Sequence, residues 1–143
     1  MGITVEIVNL MGRAGSALES LPLAELPDIT TMHIRGALSP PLSVELELGA
    51  GDHQTARLLA WADALPGVTA SARRHRHYVR VEAAAVVNGV PLAVQNHFTD
   101  ITAMDVASDA LGLPRAGTSD VPVSLTALWR LAGRDLGEVN RHG

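Results

Sequence analysis

The chain has 143 residues, 15.0 kDa and 47% apolar content, which is enough to bury a sizeable core and argues against intrinsic disorder. It has no cysteine, so disulfides, thiolate metal sites and cysteine nucleophiles are excluded. A net charge of −4, from 15 acidic residues against 11 arginines and no lysine, disfavours non-specific attraction to nucleic acid or anionic membrane.

The chain opens with an alternating run. Ile3, Val5 and Ile7 fall on one side and Thr4, Glu6 and Val8 on the other, which predicts a half-buried strand over Ile3–Leu10. Gly12-Arg13-Ala14-Gly15-Ser16 follows. After a strand and before a helix, its free amides are candidates for an anion, although it is neither a Walker A loop nor a dinucleotide fingerprint. Ser16 and Glu19 have capping-box spacing, which predicts a short helix over 16–21 limited by Pro22.

Ile29–Gly36 and Leu42–Leu48 read as two strands joined by a loop at Ser39-Pro40-Pro41. In the second, Leu42, Val44, Leu46 and Leu48 point in, with Ser43, Glu45 and Glu47 out. Asp52 is a candidate cap for a helix over His53–Leu65, which Pro66-Gly67 stops.

Asn88-Gly89 between two apolar runs is the strongest hairpin signal in the chain, because both residues tolerate positive φ. A two-residue turn there pairs residues whose numbers sum to 177. Val79, Ala83, Val94 and Phe98 then share an apolar face with the polar Asn96. Tyr78, Arg80, Glu82, Gln95 and His97 share the other. Pro91 lacks an N–H and predicts that its strand lies at a sheet edge or contains a bulge. Thr102 and Asp105 suggest the start of a further helix, ended by Gly112. After a loop at 115–120, Ser124 caps a last helix with Leu125, Leu128, Trp129, Ala132 and Leu136 on one face.

The elements predict a single α+β domain over 1–143, with a sheet-forming core at 1–99 and a helical extension at 100–143. Its four- to five-stranded, mostly antiparallel sheet packs helices on one face. The element order β-α-β-β-α-β is ferredoxin-like, with an extra hairpin strand and two C-terminal helices added. No apolar run approaches ~18 residues and no leader pattern opens the chain, so no membrane partner and a cytoplasmic location are expected.

Polar chemistry concentrates in Arg73–Arg80. Arg74, Arg76 and Tyr78 there suggest phosphate or nucleic-acid contacts. His75 and His77, on one side of a strand with Asp100 opposite, suggest metal ligands, but local positive charge opposes a cation, so no metal and no cofactor is assigned. No catalytic motif is present, and no catalytic residue is assigned.

The reading that follows is a binding module without enzymatic activity. It would engage a protein partner or a second copy of itself through the polar sheet face or the edge near Pro91. Its alternatives are a small-molecule site or enzyme on the face holding Tyr78, Arg80, Glu82, Gln95 and His97, or a nucleic-acid or phosphate binder using Arg73–Arg80. A concave pocket on that face would favour the small-molecule reading, and a flat face the module.

Overall fold

The hairpin is the centre of the sheet. Residues Val79–Val87 (β4) and Val90–Phe98 (β5) pair antiparallel without interruption, from Val79 opposite Phe98 to Val87 opposite Val90. Asn88 and Gly89 sit at φ 49° and 79°, the positive values that a tight turn of the strands' own twist demands. The computed structural model describes residues 3–35, 43–49, 51, 53–114 and 119–142 and, at residues 3, 35 and 134–142, the backbone alone.

Around the hairpin lie β1 (Ile29–Arg35), β2 (Ser43–Leu48), β3 (Thr69–Arg74) and β6 (Val121–Val123). They make a six-stranded sheet in the order β1-β2-β5-β4-β3-β6. Every neighbouring pair is antiparallel except β2 with β5, which is parallel. The fold is therefore α+β with a mixed open sheet, not a four- to five-stranded antiparallel one. β5 lies inside the sheet, contrary to the edge position that Pro91 suggested. In the hairpin register, residue 91 points its backbone nitrogen away from β4 and toward β2. The described β2 pairing begins one step later, at Val44 opposite Leu92, so no described ladder bond is lost.

The first expected strand is instead a helix, α1 (Ile3–Glu19). A short apolar run fits both periods, and what decides is the longer pattern. Leu10, Ala14, Ala17 and Leu18 recur at helical spacing and are all buried, while Val5 and Val8 are exposed. This removes the basis for a ferredoxin-like element order. Gly12–Ser16 lies inside α1 and Ser16 starts no helix, so the amides proposed for an anion belong to a continuous helix.

The other helices are α2 (Gln54–Ala64), α3 (Ile101–Leu111) and α4 (Leu125–His142). Asp52 and the Ser39–Pro41 loop lie outside the described residues. Asp100, not Thr102, caps α3, its carboxylate accepting from the Ala103 amide at 3.1 Å. Ser124 caps α4 as expected, accepting from the Ala127 amide at 3.0 Å. On α4 Leu128, Leu131 and Ala132 are buried and Trp129 is exposed, so the stripe is rotated from the expected one; the Leu136 side chain lies outside the described set. β6, too short to show a period, adds a strand from within the expected helical extension.

The buried residues of all four helices and the sheet form one cluster. Val44, Leu46, Val79, Val81, Val90 and Val94 face it from the strands; Leu58, Leu59, Leu128 and Leu131 meet them from the helices, each at most 1% exposed. Burying each such side chain is worth about 1.5–3 kcal/mol, which is what holds the helical layer on this face. Among the described residues no helix is long and apolar enough to cross a membrane.

Candidate functional site

With the helices on one face, the other face of the sheet presents the alternate residues of each strand, and the register arranges them in rows across the strands. One row runs Glu45–Ala93–Ala84–Thr69 from β2 to β3. The next runs Glu47–Gln95–Glu82–Ser71 and reaches Pro122 of β6. The third runs His97–Arg80–Arg73. Successive rows are about 6.6 Å apart, two residues along a strand. The face therefore grades from carboxylates in its first two rows to guanidiniums in its third.

The first row holds a depression of about 440 Å³. Ala84 and Ala93 are opposed across β4 and β5 and leave its floor without bulk, while Ser43, Glu45, Thr69 and Glu82 are among the side chains at its sides. The volume falls within the range of small-molecule pockets. Of its lining residues the sequence pointed to Glu82, to the outward-facing Ser43 and Glu45, and to Pro91 as an edge, but not to Ala84 and Ala93. Two alanines opposite one another are a signal only after the register of four strands is known.

The middle row is tied by hydrogen bonds. Gln95 is 2% exposed, and its side-chain amide donates to the Glu45 carboxylate at 3.1 Å. Its Oε1 has no hydrogen-bond partner among the described residues. On β1, His33 Nε2 lies 3.6 Å from a Glu47 carboxylate oxygen, an ion pair whenever His33 is protonated.

The third row adjoins an aromatic group. The turn at 75–78 closes with the His75 amide donating to the Tyr78 carbonyl at 2.8 Å. The His75 ring stacks on Tyr78 at 4.3 Å between centroids, and Tyr78 meets the His97 ring edge-on at 5.1 Å. Arg80 donates from Nη2 to Asp120 at 2.7 Å. Burial holds the pKa of both imidazoles below the ordinary value of 6.5; the guanidiniums of Arg73 and Arg80 push His75 further down, whereas at His97 the Glu47 carboxylate partly offsets burial and Arg80 adds to it. Both rings are therefore neutral at pH 7, and the positive charge of this row belongs to its arginines.

The residues expected to form a site are thus divided. Tyr78, Arg80 and His97 converge, with Glu82 and Gln95 one row away. Arg76 is exposed in the turn. Arg74 is on the opposite face, under α3, donating from Nη1 to Asp105 at 2.9 Å and to Ser108 at 3.0 Å. The Arg73–Arg80 segment is therefore no continuous basic surface: its four arginines point to three places. His75 and His77 lie in the turn and not on one side of a strand, and Asp100 is occupied as the α3 cap. Among the described residues no three His, Asp or Glu side chains are placed to hold a metal ion. Asp120, which completes the Arg80 contact, came from a segment read as loop; the β6 pairing that carries it beside β3 spans only three residues and leaves no period to detect.

The chain matches no protein-family model, no curated protein sequence and no solved structure.

Proposed function

We propose that this protein binds a small molecule on the open face of its sheet, with the body of the ligand in the depression over Ala84 and Ala93. The observation that supports this reading is the depression itself, about 440 Å³ on the face the helices leave uncovered. The ionisable side chains lining it are Glu45 and Glu82, which favours a neutral or cationic ligand over an anionic one. The absence of a recognisable catalytic motif in the sequence makes binding, not turnover, the function proposed.

A fluorescence titration with the cationic dye thioflavin T, set against anionic anilinonaphthalene sulfonate, tests it. Saturable binding of the cationic dye is expected, weakened at least about tenfold in Ala84→Trp, a loss of about 1.4 kcal/mol. Equal binding by Ala84→Trp and the parent protein would remove the depression from consideration.

A second reading, a partner surface, is favoured by β1. Among the described strands this seven-residue one is a border of the sheet; it contains neither Pro nor Lys and exposes Met32. Such an edge can pair with the β1 strand of a second copy. Native mass spectrometry over a concentration series is expected to show a dimer if it does. A monomer at every concentration would dispose of self-pairing.

A further inference from the structure

We propose that Arg73 and Arg80 form an oxyanion subsite, taking a phosphate or carboxylate group of a ligand, at the end of the open face next to the His75–Tyr78 stack. The two arginines are directly opposed across β3 and β4 and share the open face. Two like charges at that separation repel, and opposed cross-strand pairs of one sign are destabilising unless something intervenes. Asp120 follows the register of β6 to the position beside Arg73, but its one carboxylate is spent on Arg80, bonded through a single nitrogen, which leaves two guanidiniums to one carboxylate. Among the described residues Arg73 has no hydrogen-bond or ion-pair partner, and its Nε is buried without an acceptor. His75 Nε2, in the same cluster, is also buried without a partner.

Buried polar groups in folded proteins are nearly always satisfied, and the Arg73 Nε–H, a donor in every state, marks a place where an acceptor is missing; His75 Nε2 adds a second donor in the tautomer that carries its proton there. An oxyanion has the required chemistry. Its oxygens accept from guanidinium forks, and its charge offsets the excess of two guanidiniums over one carboxylate. The acidic rows of the face confine this preference to the third row. A carboxylate or phosphoryl oxygen placed one row away would meet Glu82 and Glu47 instead. This inference rests on the open face being a ligand surface, but not on the depression, which is lined by other residues.

The experiment follows the arginine Nε–H resonances of ¹⁵N-labelled protein by NMR, with Arg73→Gln and Arg80→Gln assigning the two signals. Inorganic phosphate and benzoate are titrated separately at constant ionic strength, with chloride as the reference. Saturable movement of the Arg73 and Arg80 signals is expected, with phosphate alone, benzoate alone or both identifying the group preferred. Arg73→Gln should weaken binding about tenfold or more, in line with the loss of a charge-assisted hydrogen bond. Arg73→Lys, which keeps the charge without the fork, should fall between, and Arg130→Gln, an exposed position on α4, should bind as the parent does. Arg73 makes no described side-chain bond, so its variants are expected to fold, which their thermal melts check; Arg80→Gln supplies an independent measure of the same loss.

Linear, non-saturating shifts would overturn the proposal, as would equal shifts with chloride or equal weakening by Arg130→Gln. Ala84→Trp separates the two sites. Oxyanion binding that persists in it while dye binding is lost supports two subsites, and dye binding that fails in the parent leaves the oxyanion result standing on its own.

Discussion

Replacing Asn96 by Asp should cost about 4 kcal/mol at pH 7.5, although the two side chains have almost the same shape. Asn96 lies on the helix face of β5, fully buried, and donates from Nδ2 to the Gln54 carbonyl at the start of α2 at 2.6 Å. An ionised carboxylate there would have no donor to face and would confront a carbonyl oxygen. The folded protein avoids this by keeping the carboxyl protonated, so that its O–H can replace the lost N–H. Holding a proton near pH 7 against an unfolded pKa of about 3.9 requires about three pH units at about 1.4 kcal/mol each.

The sign follows from that raised folded pKa. Below about pH 3.9 both states are protonated and the deficit nearly vanishes. It grows as pH rises through 3.9 and levels off above the folded value. The comparison must be made against the parent at each pH, because His75 and His97 act in the opposite direction. Their lowered pKa values give stability that is complete above about 6.5 and is lost as pH falls below it. Urea denaturation of both proteins at pH 7.5 and 5.0 measures the difference. A cost below about 1 kcal/mol at pH 7.5 would mean that the amide is not buried against α2. Asn96→Leu, which removes the donor but also the unpartnered Oδ1, should cost much less.

Asn96 also shows what the sequence could carry. Its place on the apolar face followed from the Asn88-Gly89 turn alone, because a hairpin of two long strands has one register that buries Val79, Val81, Ala83, Val94 and Phe98 together. The pairing of Arg80 with His97 and of Glu82 with Gln95 followed from the same turn. Two classes of information were missing. One was the period of Ile3–Leu10, where alternation and helical spacing coincide and only Ala14 and Leu18 downstream discriminate. The other was everything that depends on which strands are neighbours. The parallel contact of β2 with β5 brings Glu45 beside Ala93 across 48 positions of sequence, and the β6 contact brings Asp120 to Arg80. Neither leaves a local trace, so the depression and the Asp120 contact were hidden for the same reason. The basic cluster was visible but unsorted, because which arginines share a face depends on the register of β3 against β4 across the turn at 75–78.

That sorting is testable through Arg74. Arg74→Ala should destabilise the protein by about 2–3 kcal/mol, where a solvated strand arginine would cost no more than about 0.5. Its side chain is only 10% exposed and lies opposite Val79, on the helix side of β3. The loss has two parts: the packing of the aliphatic stem beneath α3, and the charge-assisted bonds to Asp105 and Ser108. Arg74→Met keeps the first part and removes the second without leaving a buried charge, so it should cost roughly half as much or less. Asp105→Asn should cost about 1 kcal/mol at most. The Asp105 side chain is 43% exposed, so water screens its ion pair, and the Ser108 hydroxyl remains as an acceptor. The expected order is Arg74→Ala above Arg74→Met and Asp105→Asn, measured by denaturant midpoints at unchanged slope. The oxyanion titration should be indifferent to all three, because Arg74 is on the far side of the sheet from Arg73 and Arg80. An Arg74→Ala protein that keeps parental stability but loses oxyanion binding would reverse the assignment of faces on β3, and the open-face site with it.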